Sequence, residues 1–132
     1  MKFKSLDALE ALLSNVDLLK KTEKKNPDGI IHANSLIEAG KVKRTSFWEP
    51  PTADKENAYI EANGIKEYGK WFLGTDSTIN ANNKSYYTYA YTSDFEKVDS
   101  AGLIAVKQIA EQQRMRSIFA AASKMLDKIE DK

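Results

Sequence analysis

His32 is the only histidine of this chain, and cysteine is absent. A histidine metal cluster needs several imidazoles, and an acid–base dyad would have to use this one residue. His32 follows Ile30 and Ile31, with no nucleophile or carboxylate at a spacing that links it to a reaction. It reads as a histidine at the surface or at a helix start. The lack of cysteine removes disulfides, thiolate metal sites and cysteine nucleophiles together. Neither Ser46 nor Ser100 sits in a G-x-S-x-G elbow. No catalytic residue and no metal ligand is assigned, and no cofactor is expected.

Oxygen-bearing residues come in two groups. Asp76, Thr78, Asn80 and Asn82 alternate as a calcium loop does, but the sixth position is Ala81 and the twelfth is Tyr87. Such a loop needs glycine and a bidentate glutamate there, so the stretch reads as a polar turn. Asp94, Glu96 and Asp99 would serve acid–base catalysis only if a deep pocket gathered two of them, or one of them with Asp76. An exposed acidic loop is the commoner arrangement.

Four of the six tyrosines, Tyr86, Tyr87, Tyr89 and Tyr91, fall within KSYYTYAYTSDF, residues 84–95. In a strand, side chains alternate, which predicts Tyr87, Tyr89 and Tyr91 on one face. Such a ladder is either sheet scaffold or a stacking platform for bases. A platform also needs cations to follow the phosphates, and the downstream flank carries Asp94, Glu96 and Asp99. Scaffold is the expectation.

Two basic clusters and one aromatic loop remain. Lys41, Lys43 and Arg44 follow a helix end, and Arg114 with Arg116 lies between two helices; both read first as solvated surface. Phe47 and Trp48 stand beside Pro50 and Pro51. A loop with this composition either tucks its rings under the domain or offers them to a partner. Phe47 and Trp48 are the first candidate contact residues, and Arg114 and Arg116 a second patch.

The elements that position these groups follow from periodicity. Leu6, Leu9, Leu12, Leu13, Val16 and Leu19 predict an amphipathic helix over 5–25, capped by Ser5, with a possible break at Ser14–Asp17. NPDG, residues 26–29, predicts a turn, and a short helix over 33–39 stops at Gly40. The stretch 41–56 is irregular until Thr52 opens a helix that Gly64 ends. Ile65, Tyr68, Trp71 and Phe72 predict further helical turns. KWFLG and SYYTYAYT, separated by DSTINANN, predict a hairpin. Asp99 or Ser100 caps a helix through AGLIAVKQIAEQQ, and a last helix over 117–129 buries Ile118, Ala122, Met125, Leu126 and Ile129.

With 132 residues, 42% of them hydrophobic and 30% charged, one self-sufficient domain is expected over 1–132. The expected fold is α+β: a helix-dominated domain with a small tyrosine-rich antiparallel hairpin, its core built from the amino-terminal helix and the last two helices. Twenty Lys and Arg against nineteen Asp and Glu leave +1, which gives no general attraction to nucleic acid or anionic membrane. The amino terminus lacks an unbroken apolar signal segment, and no apolar run is long enough for a bilayer, so a cytoplasmic location is expected. An exposed leucine stripe over 5–19 would predict self-association.

LIEAGKV, EYGKWFLGTD, KSYYTYAY, GLIAVKQIA and IFAAASKMLDKI occur in this order between Ala33 and Ile129. In these pieces the chain resembles a small module encoded by tailed phages and prophages, found in neighbourhoods of capsid-maturation and head genes. Related sequences carry proline where this one has Ala90, and arginines where it has Ser100 and Ile109. The resemblance implies residues 30–132 as a phage-type module preceded by an amino-terminal helix and turn over 1–29. It also implies a bacterial host cytoplasm, with virion association open, and a phage structural or host protein as partner. It implies no reaction. The expected function is non-catalytic, through protein contacts in particle assembly. The alternative is a nucleic-acid accessory role using Lys41, Lys43, Arg44 and exposed tyrosines.

Overall fold

The computed structural model describes residues 23–130. The expected amino-terminal helix, with its leucine stripe, lies outside the described residues up to position 22. At 23–25 the expectation fails: Glu23–Lys25 is a short strand, β1. It pairs antiparallel with a strand over Phe72–Asp76, matching Glu23 to Asp76 and Lys25 to Gly74. Two causes oppose a helix here. Residues 20–25 carry no apolar residue to continue the stripe, and Pro27 drives Asn26 to an extended backbone (φ −105°, ψ 99°).

NPDG is not a free turn. Pro27 opens helix α1, Pro27–Glu38, at the position where its missing N–H costs nothing. The side chain of Asn26 reaches across the core instead of capping α1. Its Nδ2 donates to the carbonyls of Gly69 and Phe72 at 2.9 and 3.0 Å. Gly29 is demanded by contact rather than by turning, because a Cβ there would stand 1.8 Å from the Phe72 carbonyl oxygen. The helix ends as expected, with Gly40 at φ 75° and Lys41 N–H bonded to Leu36 O at 2.8 Å.

After α1 come β2 (Val42–Lys43), α2 (Ala53–Asn63), α3 (Ile65–Gly69) and β3 (Phe72–Asp76). Thr52 caps α2, its Oγ1 accepting from Lys55 N–H at 3.2 Å. The helical run predicted through Trp71 and Phe72 stops at Gly69. That glycine lies against the ring of Tyr87, where a Cβ would sit 2.3 Å from two ring carbons. Trp71 and Phe72 lead into β3 instead.

The hairpin forms as read. β3 pairs antiparallel with β4, Tyr87–Ala90, matching Phe72 to Ala90, Gly74 to Thr88 and Thr75 to Tyr87. DSTINANN builds the connection from local turns: Asp76 Oδ1 accepts from Thr78 N–H at 3.0 Å, and Asn80 Oδ1 from Asn82 N–H at 2.8 Å. A single 3₁₀ turn, Lys84–Tyr86, leads into β4. The three-stranded sheet runs β1-β3-β4, and β2 pairs in parallel with β5, Val98–Asp99.

Asp99 caps α4, Ser100–Gln112, accepting from Gly102 N–H at 3.1 Å. Helix α5, Arg116–Glu130, returns along α4. The link is tight because Met115 N–H bonds to Ala110 O at 2.8 Å and Arg114 to Glu111 O at 3.2 Å, with Arg114 at φ 60° where glycine is usual. Ile118, Ala122, Met125 and Ile129 are buried as predicted, while Leu126 is only partly so. One core joins Ile37 of α1, Leu103 and Val106 of α4, and the α5 stripe to the aromatic residues of α3, β3 and β4. The fold is α+β, with helices dominating a small antiparallel sheet.

Candidate interaction surface

The tyrosines divide. Tyr91 is wholly buried, 5.8 Å from the ring of Trp71, and its hydroxyl donates to Lys70 O at 2.6 Å. Burial pushes its phenol far above the ordinary value. Tyr87 is half-buried among Tyr68, Phe72 and Tyr86. Tyr89 breaks the expected ladder, because φ 65° at this residue interrupts the alternation of side chains. Its ring lines a cleft with Glu23, Trp48, Ala105 and Ile109. Burial, and after it the charge of Glu23, push the Tyr89 hydroxyl up to about 12. The rings therefore form interior packing rather than an open stacking face. His32 belongs to the same packing: it meets Trp71 edge-on at 4.7 Å, and burial, then Lys70, lower its pKa.

Two of the three residues of the basic cluster find partners within the fold. Arg44 donates from Nη2 to Ile129 O at 2.7 Å and so closes the carboxyl end of α5. Lys43 lies 4.0 Å from Asp94. Lys41 is exposed.

The loop after Arg44 is held at several points. Thr45 N–H donates to Ser100 Oγ at 3.2 Å, and Thr45 Oγ1 donates to Asp99 Oδ1 at 2.5 Å. The ring of Trp48 lies on Gly102 of α4, where an added Cβ would meet it at 2.7 Å. Pro50 and Pro51 then narrow the backbone before Thr52 starts α2. Of the two aromatic candidates, Trp48 is thus seated and partly buried, whereas Phe47 is 67% exposed. A glycine 54 positions away decides which ring is seated, and nothing in the local spacing signals it.

Phe47 stands on the rim of a cleft of about 490 Å³ lined by Lys43, Arg44, Glu49, Lys55, Ser93 and Asp94, among others. Of the four candidate carboxylates the fold brings Asp94 and Asp99 to this cleft, beside Glu49; Glu96 is exposed and Asp76 ends β3 at the hairpin turn. Asp99 is a brace, bonded to Thr45 and Gly102. Burial works against the Asp94 carboxylate, yet the N–H groups of Glu96 and Lys97 and the Lys43 ammonium hold it below the usual carboxylate range. A carboxyl held ionised in this way is unsuited to general-acid work at neutral pH.

Arg114 and Arg116 are both exposed and flank a smaller hollow of about 200 Å³ with Ala110, Glu111 and Phe119. Lys107 Nζ stands 5.5 Å from the Phe119 ring centre, outside the hollow's own lining. Among the described residues no cluster of three His, Asp or Glu is placed to hold a metal ion, and no helix is long and apolar enough to cross a membrane. No family model matches the chain, and neither the curated proteins nor the solved structures contain a significant match.

Proposed function

We propose that this chain is a non-catalytic protein-contact module, with Phe47 as its anchor and Arg114–Arg116 as a subsidiary patch. The observation that carries the reading is a phenyl ring two-thirds exposed on a loop that is fastened on both sides. Ordering a floppy loop costs a binding surface affinity, and a loop held beforehand avoids that cost. An aromatic residue presented so has the character of an interface hot spot, where truncation costs about 2 kcal/mol or more, near 30-fold in affinity. The phage-type resemblance over Ala33–Ile129 supplies the setting: particle assembly, with a phage structural or host protein as partner. Arg44 and Lys43 are engaged within the fold and Tyr91 is buried, which leaves little of the basic cluster and tyrosines for a nucleic-acid backbone.

The test is a photoreactive phenylalanine analogue at position 47 in the producing cell, with the same analogue at the exposed Lys66 position as control. The expected result is a protein adduct of one defined mass from position 47 and not from position 66. No adduct from position 47, or an adduct with nucleic acid, overturns the reading.

A further inference from the structure

A second surface, sharing no lining residue with the Phe47 cleft, lies between α1, α5 and the end of β1. Ser117, Ala121, Lys124 and Lys128 recur at three- and four-residue intervals and form one stripe along α5. Ile30 and Asn34, one turn apart on α1, make the facing wall, and Lys25 closes one side. Together with Ala120 and Met125 they line a groove of about 400 Å³. Its floor is apolar and small: alanines let a partner's backbone come close, and Met125 adapts its shape.

The charge is one-sided. Among the described residues, three lysines line this groove and no carboxylate does. The ion pairs among the described residues join Lys43 to Asp94, Lys70 to Glu67 and Lys84 to Glu56, and none of these engages Lys25, Lys124 or Lys128. Lys128 is oriented, its Nζ donating to Asn34 Oδ1 at 3.2 Å. We infer that this groove receives an acidic amphipathic helix of a protein partner, its apolar stripe on Ile30 and the alanines and its carboxylates on the lysines. The α5 stripe spans about 16 Å, some three turns of such a helix. Nucleic acid fits less well, because among the described residues neither an aromatic ring nor an arginine lines the groove to stack on bases, and the whole chain carries only +1.

The probe is a synthetic helix of about 12 residues, the length that covers the stripe, with leucines on one face and glutamates beside them. A twin carries lysines for the glutamates, and a single-stranded oligonucleotide is the third ligand. Each is titrated by calorimetry against the full chain, the Lys124→Glu and Lys128→Gln variants, and a Lys66→Glu control. The altered lysines are exposed, and thermal unfolding checks that each variant folds. Expected is saturable binding of the acidic helix alone, weakened about tenfold by Lys124→Glu and less by Lys128→Gln, with Lys66→Glu unchanged. The inference is overturned by no saturable binding of the acidic helix, by equal binding of its twin, by indifference to Lys124→Glu, or by preferential binding of the oligonucleotide.

Discussion

Replacing Asp99 by alanine removes two functions of one buried carboxylate, the cap of α4 and the tether of the Phe47 loop. Its Oδ1 accepts from Gly102 N–H at 3.1 Å and from the Thr45 hydroxyl at 2.5 Å. Loss of an N-cap costs about 1 kcal/mol. Loss of a hydrogen bond to a charged acceptor adds about 1.5 to 3 kcal/mol. Asp99→Ala should therefore destabilise the fold by about 3 kcal/mol, moving the urea midpoint down by more than about 1 M. Asp99→Asn keeps an oxygen for both donors and should cost under about 1 kcal/mol. Thr45→Val, which cuts only the tether, should fall between them. Urea unfolding followed by far-UV circular dichroism measures all three. If Asp99→Ala lies within about 0.5 kcal/mol of the parent, or asparagine is as damaging as alanine, the brace is not holding the loop.

Three further outcomes follow from the packing. Gly29→Ala sets a methyl group 1.8 Å from the Phe72 carbonyl oxygen, so α1 must move off β3, at a cost of at least about 2 kcal/mol by thermal or urea unfolding. Arg114→Gly should stabilise the fold by about 1 kcal/mol, since Arg114 holds φ 60° in a helix-ending motif that favours glycine, while weakening any partner that uses this side chain. Burial, then the neighbouring Asp76, raise the Glu23 pKa, so the folded state binds a proton more readily than the unfolded chain. Stability from this group is fully present below the unfolded value and is lost as pH rises through the folded one. Glu23→Gln should therefore raise the melting temperature at pH 7, with the gain vanishing at acid pH.

Elements with a strong period were legible: α4, α5 with its buried stripe, the Thr52 and Asp99 caps, and the hairpin on either side of DSTINANN. Short strands were not. β1, β2 and β5 have two or three residues each, too few to display alternation, and they exist because β3 and the α1–β2 junction offer partners. NPDG misled because the same residues suit a turn and a helix start. Only the close approach of Phe72 to Gly29 shows which is built. The tyrosine ladder failed at one dihedral angle, at Tyr89, that strand periodicity cannot encode. Phe47 and Trp48 stood out by composition, but their division into displayed and seated rings depends on Gly102. The lysine groove was invisible, because Lys25 and Lys128 are a hundred positions apart and meet only through tertiary packing.

If Phe47 is presented by a loop already fixed in place, backbone ¹⁵N relaxation over residues 44–52 will show a rigid segment. Order parameters near about 0.85, matching those of α4, are predicted for Thr45 to Glu49. Values below about 0.6 would mean that the bonds to Asp99 and Ser100 and the seat of Trp48 do not hold the loop, and the preorganised anchor would have to be abandoned.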